Sequence, residues 1–214
     1  MKEVLFNGHD IALMLVVGFS VLLAARVLTR FAVPSGARMF AAVFIGLNAL
    51  WALDALLFWS QSIRLTAYSH SAGFPLSLSF VPFLQGPILY FWVKASLQPD
   101  KPISARYLWH FLPAFITPFY LYWACFRFSP QQQENLILDL DILASADVYF
   151  LWFLTIKKLL PVTYGVICVL MLYRLSGASS QSLTGIRRVP LFYMVMPALS
   201  LIHISEPTRR HLIA

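Results

Sequence analysis

Apolar runs of membrane-crossing length dominate this 214-residue chain and leave it few folds. An α-helix crosses the roughly 30 Å hydrocarbon core with about 20 mostly apolar residues. Such runs recur at Ile11–Leu28, Met39–Trp59, Phe74–Val93 and Tyr107–Phe126, with a shorter fifth at Leu159–Tyr173. Composition agrees: 59% of residues are hydrophobic and 12% charged, against roughly 45–50% and 25% in a soluble domain. That balance excludes disorder, collagen, a coiled coil and a disulfide scaffold. The class that remains is all-α, a polytopic transmembrane helix bundle. Five complete spans are expected, with the start of a truncated sixth at Val189–Ala198.

Local signals punctuate the spans. Arg26 and Arg30 close the first, and Pro34, Ser35 and Gly36 mark the linker after it. Trp51 and Trp59 lie toward one end of the second, where indole rings favour the membrane interface. Gln98-Pro-Asp-Lys-Pro102 is a polar turn. Pro113 and Pro118 are expected to kink the fourth span, tolerable where neighbours re-satisfy the backbone. Val148–Ile156 is apolar but too short to span, and reads as an interfacial or re-entrant helix before the fifth span. The alternative is one kinked helix over Val148–Tyr173, with Lys157 and Lys158 at its kink near Pro161. Ser176–Gly185 is a Gly/Ser-rich loop. Cys125 and Cys168 sit inside apolar runs and read as packing residues. Neither an internal repeat nor a signal-peptide cleavage site is visible.

Basic residues set the orientation. Arg26, Arg30 and Arg38, then Lys94, Lys101 and Arg106, then Arg174, Arg187 and Arg188 follow the odd-numbered spans. Arg64, Arg127, Lys157 and Lys158 follow the even-numbered ones. Cytoplasmic loops collect Lys and Arg, so the N-terminus is expected outside and the first, third and fifth loops in the cytoplasm. The net charge of +7 is accounted for by topology rather than by nucleic acid.

The last residues read differently. Leu199-Ser-Leu-Ile-His-Ile-Ser-Glu-Pro-Thr-Arg209 resembles the in-frame translation of a sequencing-library adapter. Residues 199–214 are therefore expected to be non-native, and residues 1–198 to be a truncated transmembrane domain. His203, Glu206 and His211 carry no functional weight on that reading.

Polar residues within apolar spans are costly and are the first functional candidates. These are Asn48 and Asp54 in the second span, Gln85 in the third and His110 opening the fourth. Asn48 and Asp54 are six residues apart, about 120° around a helix, so they face different neighbours. A proton relay wants several such groups converging. Isolated interhelical hydrogen bonds are the preferred reading, and on it Asp54 tolerates Asn. His9-Asp10 reads as a solvated helix end. There is no paired-carboxylate, His-x-x-His, Gly-x-Ser-x-Gly or phosphate-loop motif, so no catalytic, cofactor or metal site is expected and the chain does not read as an enzyme.

One segment carries a resemblance. Phe83-Leu-Gln-Gly-Pro-Ile-Leu-Tyr-Phe-Trp-Val-Lys94, followed by Leu108-Trp-His-Phe-Leu-Pro113, resembles the membrane-embedded half of certain bacterial AraC-type transcriptional regulators. The motif residues are Gly86, Pro87, Tyr90, Lys94 and Pro113. Physically, Gly86-Pro87 would bend the third span, and Tyr90, Trp92 and Lys94 would anchor its cytoplasmic end. The resemblance implies a seven-helix sensor in the bacterial inner membrane, joined to a cytoplasmic domain with two helix-turn-helix units. Leu183–Arg188 departs from the Trp-Leu-Arg element of that family, and the DNA-binding domain is absent from this sequence. The implied partners are the lipid bilayer, an unidentified signal ligand and optionally a second copy, with DNA reached only through the missing domain. The rival reading is a small transporter or channel subunit.

Overall fold

Asn7 opens the first helix by accepting a 2.9 Å hydrogen bond from the Asp10 backbone N–H, while Asp10 Oδ2 accepts one from the Asn7 N–H. This reciprocal cap satisfies two of the donors that every helix start leaves unpaired, and places the start at Gly8. The computed structural model describes residues 7–29, 35–60, 63, 76–99, 103–126, 129 and 148–178. Those residues form α1 (Gly8–Leu28), α2 (Ser35–Trp59), α3 (Val81–Leu97), a 3-10 segment (Ala105–Phe111), α4 (Leu112–Phe126) and α5 (Val148–Ala178), with no strand among them.

Three of these helices are long and apolar enough to cross a membrane: Gly8–Leu28, Ser35–Leu57 and Val148–Arg174. The expected pattern of five complete helical spans is thus not what the described residues form. The third helix begins seven residues later than expected and runs past Val93 to Leu97. Pro82 stands in its first turn, and a proline disfavours helix in the residue before it while suiting a helix start. The fourth begins as a 3-10 segment, and its α-helix starts only at Leu112, with Pro113 in the first turn. The partial sixth span at 189–198 and the tail 199–214 lie outside the described residues.

The largest correction concerns the fifth helix. Val148–Ile156 is no separate interfacial helix: as in the single-helix alternative, α5 runs through 31 residues, past Lys157, Lys158 and Pro161. Helix also replaces the expected loop as far as Ala178. Phe150, Phe153, Pro161, Tyr164 and Cys168 are buried along α5, and Lys157 is nearly so. Their three- and four-residue spacing makes one continuous stripe. Lys157 therefore belongs to the packed face of a spanning helix, not to a loop.

α3 is the centre of the bundle: it packs on α2, on α5, and on α4 with the 3-10 segment before it, while α1 packs on α2. Ala37, Ala41, Ala52 and Ala55 of α2 are buried, the small-residue usage that lets membrane helices approach closely. One core joins Phe44 and Leu47 of α2 to Ile88, Leu89 and Trp92 of α3 and Cys168 of α5. A second joins Phe83, Ala114, Leu121, Phe150 and Phe153 across α3, α4 and α5. By contrast α1 and α4 expose Leu22, Phe19, Phe115 and Phe119, as lipid-facing helices do.

Candidate functional site

Among the described residues several polar contacts join elements far apart in sequence, and three of them gather the residues that matter most here. The first centres on Asp54, which is 2% exposed. Lys157 Nζ of α5 lies 2.6 Å from its Oδ2, and Ser79 Oγ, in the turn before α3, donates to its Oδ1 at 3.0 Å. Lys157 Nζ also donates to Ser79 Oγ at 3.2 Å, closing a ring of three side chains. A single charge near the centre of a span costs about 2.5–3.5 kcal/mol on insertion scales. Here the two opposite charges neutralise one another in direct contact. Pro161 adds a second feature. Having no N–H, it cannot donate the helical bond to the Lys157 carbonyl, so the ion pair lies one turn before a proline in α5.

The second contact lies deeper along α2. Gln85 Nε2 donates to Asn48 Oδ1 at 2.6 Å, and Asn48 Nδ2 donates to the Phe44 carbonyl one turn back at 2.8 Å. Gln85 Oε1 is buried without a hydrogen-bond partner. The 120° between Asn48 and Asp54 thus corresponds to different partners, α3 for one and α5 with the α3 turn for the other.

The third contact gathers the motif residues. His110 Nδ1 and Tyr164 Oη are 2.5 Å apart. Around them Tyr90 lies 5.7 Å from His110 and 6.4 Å from Tyr164 between ring centroids, and Tyr107 stacks on His110 at 5.8 Å. Lys94 Nζ stands 3.5 Å from the centroid of Tyr107, a cation–π contact. Gly86 packs directly against the Tyr164 ring, and Pro87 next to it deprives the Phe83 carbonyl of its helical donor. Gly86, Tyr90, Lys94 and His110 therefore form one assembly with Tyr107 and Tyr164. Pro113 stands apart, its carbonyl accepting from Thr117 Oγ1 at 2.8 Å.

Asp10 departs from its expected solvated state. It is 4% exposed, held by the Asn7 cap and by Ser60 Oγ at 3.2 Å, so it ties the start of α1 to the end of α2. His9 Nε2 beside it is buried without a partner.

Sequence reasoning did not single out Lys157, Ser79, Tyr107 or Tyr164. For Lys157 a signal was present: an intramembrane lysine needs a counter-charge, and Asp54 is the acid lying within a spanning run. Ser79 and Tyr164 carry no such signal, being ordinary residues made important by what they touch.

Compared with protein-family models, curated proteins and solved structures, the chain matches none. What fold and contacts define is an all-helical membrane protein whose central helices are joined by polar side chains.

Proposed function

We propose that this chain is the membrane-embedded sensory region of a bacterial transcriptional regulator of the AraC type, acting by conformational change and not by catalysis. The observation that supports it is the third contact. Residues of the family-like motif, drawn from α3 and the 3-10 segment, meet on Tyr164 of α5. A shift of α5 against α3 would pass through this assembly to Lys94 and Arg174, at the ends that basic residues assign to the cytoplasm. Ligand binding drives such a shift only by favouring one arrangement over the other.

Two further features fit. With Lys157 inside α5, Arg64 and Arg127 are the basic residues left in the sequence segments assigned outward, in keeping with an N-out reading. The 3-10 segment and α4 together rise roughly 36 Å and α3 about 26 Å, lengths that a larger bundle would draw on in addition to the three helices long and apolar enough to cross. The DNA-binding domain then lies beyond residue 198 of the native gene.

The native full-length gene, expressed beside a reporter under its own upstream region, tests this. Transcription should respond to the membrane region, and His110→Phe should alter the response at unchanged protein level. Transcription indifferent to the membrane region would reject the regulator. The transporter reading draws on one observation, the intramembrane Asp54–Lys157 pair. It requires solute or proton flux in proteoliposomes, which a sensor lacks.

A further inference from the structure

We infer that the 3-10 segment Ala105–Phe111 lies in the membrane–water interface and binds the headgroup of an anionic phospholipid, with Arg106 on its phosphate. Such binding needs only the bundle in a membrane and its charge-derived orientation, and does not depend on the regulator reading.

A 3-10 helix eclipses side chains three residues apart, so this segment has three faces. Tyr107 and His110 make the inward one: their rings stack at 5.8 Å with planes 15° apart, and both approach Tyr90 of α3. Arg106 and Trp109 share the second face. Both are exposed, Trp109 to 75%. Leu108, on the third face, is 66% exposed. Docking of the Tyr107–His110 pair against α3 therefore turns Arg106 and Trp109 away from the bundle.

No single solvent suits that outer surface. Water would leave an indole and a leucine bare on one turn, and hydrocarbon would leave the Arg106 guanidinium unpaired, which is costly. The headgroup layer accepts both. Indole rings favour that depth, and a guanidinium grips a phosphate with two parallel N–H donors.

Charge selects the lipid. Arg26 lies in the last turn of α1, Arg38 in the first turn of α2, Lys94 in the last turn of α3 and Arg174 near the end of α5. Packing of Val27, Ala37, Val93, Phe111 and Leu172 in one core brings these ends level with the segment. The acids among the described residues, Asp10 and Asp54, lie toward the opposite end. In the sequence linking α3 to the segment, Asp100 and Lys101 offset one another. This end is the cytoplasmic one in the charge-derived orientation, and anionic lipids of that leaflet attract basic residues near its surface. Lys94 supplies the second charge of the site. Its Nζ stands 3.5 Å from the ring centroid of Tyr107, the residue next to Arg106, and an ammonium has three donors to share.

The test uses the whole chain in nanodiscs of equimolar phosphatidylcholine and phosphatidylglycerol, one or the other brominated near the top of its acyl chains. Subtracting the fluorescence of Trp109→Phe isolates Trp109. Brominated phosphatidylglycerol should quench it more than brominated phosphatidylcholine. That preference should fall about fivefold in Arg106→Gln and again in Lys94→Gln, the effect of one basic residue at an anionic surface. Arg106→Lys should keep part of it. Because Arg106 is exposed, its variants should leave the fold intact, which helix melting followed by circular dichroism checks. Equal quenching by the two lipids, a Trp109 that neither lipid quenches, or a preference unchanged in Arg106→Gln overturns the lipid site. So does loss of the preference when glycerol phosphate is added to the buffer, which would mark a soluble ligand instead.

Discussion

Gly86 leaves no room for a side chain: a Cβ there would stand 2.5 Å from Cδ2 and 2.9 Å from Cγ of Tyr164. The ring is also held by its hydroxyl contact to His110, so it cannot swing aside without breaking that contact. Gly86→Ala should therefore destabilise the bundle by about 1–3 kcal/mol, the range for overpacked interfaces. Unfolding in mild detergent measures it. Because the two residues touch, Gly86→Ala and Tyr164→Ala should combine to less than their separate losses. A Gly86→Ala variant as stable as its parent would mean that α3 and α5 are not packed this closely.

The residues around Gly86 stood out by resemblance alone; that Gly86 meets Tyr164 and that Lys94 lies over Tyr107 are contacts between elements far apart in sequence, which the motif did not indicate. The first two helices were legible, within a few residues, since their apolar runs are uninterrupted. What failed was α5. Adjacent lysines and a proline read locally as a break, and only the distant carboxylate of Asp54 makes Lys157 tolerable within a helix. A contact spanning 103 residues leaves no periodic trace. The late start of α3 has a local cause, Pro82, which an apolar count overlooks.

The same contact reverses the expectation for Asp54. As an isolated packing residue it would tolerate Asn. Paired with Lys157, its neutralisation strands a buried ammonium, and removing one partner of a buried pair costs about 3–5 kcal/mol. Asp54→Asn and Lys157→Met should each lower stability by that order at neutral pH, and the double variant should recover most of it. Equilibrium unfolding of the four proteins in one detergent gives the coupling energy directly. Additive losses would show that the two charges do not interact.

Asn48 and Gln85 should behave more mildly. Hydrogen bonds between membrane helices average about 0.6 kcal/mol and reach about 1.7, and this bond leaves Gln85 Oε1 without a donor. Gln85→Leu removes the bond and the orphaned acceptor together, so its loss should stay under about 1 kcal/mol. Asn48→Leu, which strips the remaining partner from the Gln85 amide, should cost more. The order of the two, read from the same unfolding curves, is the result that matters. Equal losses would mean that the orphaned acceptor carries no penalty.

Orientation underlies the sensor reading, and it is open to direct measurement. Alkaline phosphatase folds only outside the cytoplasm because its disulfides need an oxidising compartment. Fused after Gln132 it should be active, and after Gly36 inactive. The basis is that α5 contains Lys157 and Lys158, leaving Arg127 as the basic residue of the sequence segment around Gln132, whereas Arg26, Arg30 and Arg38 flank Gly36. The placement of Asp54, Ser79 and Lys157 follows the same axis, because each lies near the helix end that this orientation turns outward. The opposite activity pattern would put the ring near the cytoplasmic surface. Arg174 would then face away from any cytoplasmic domain.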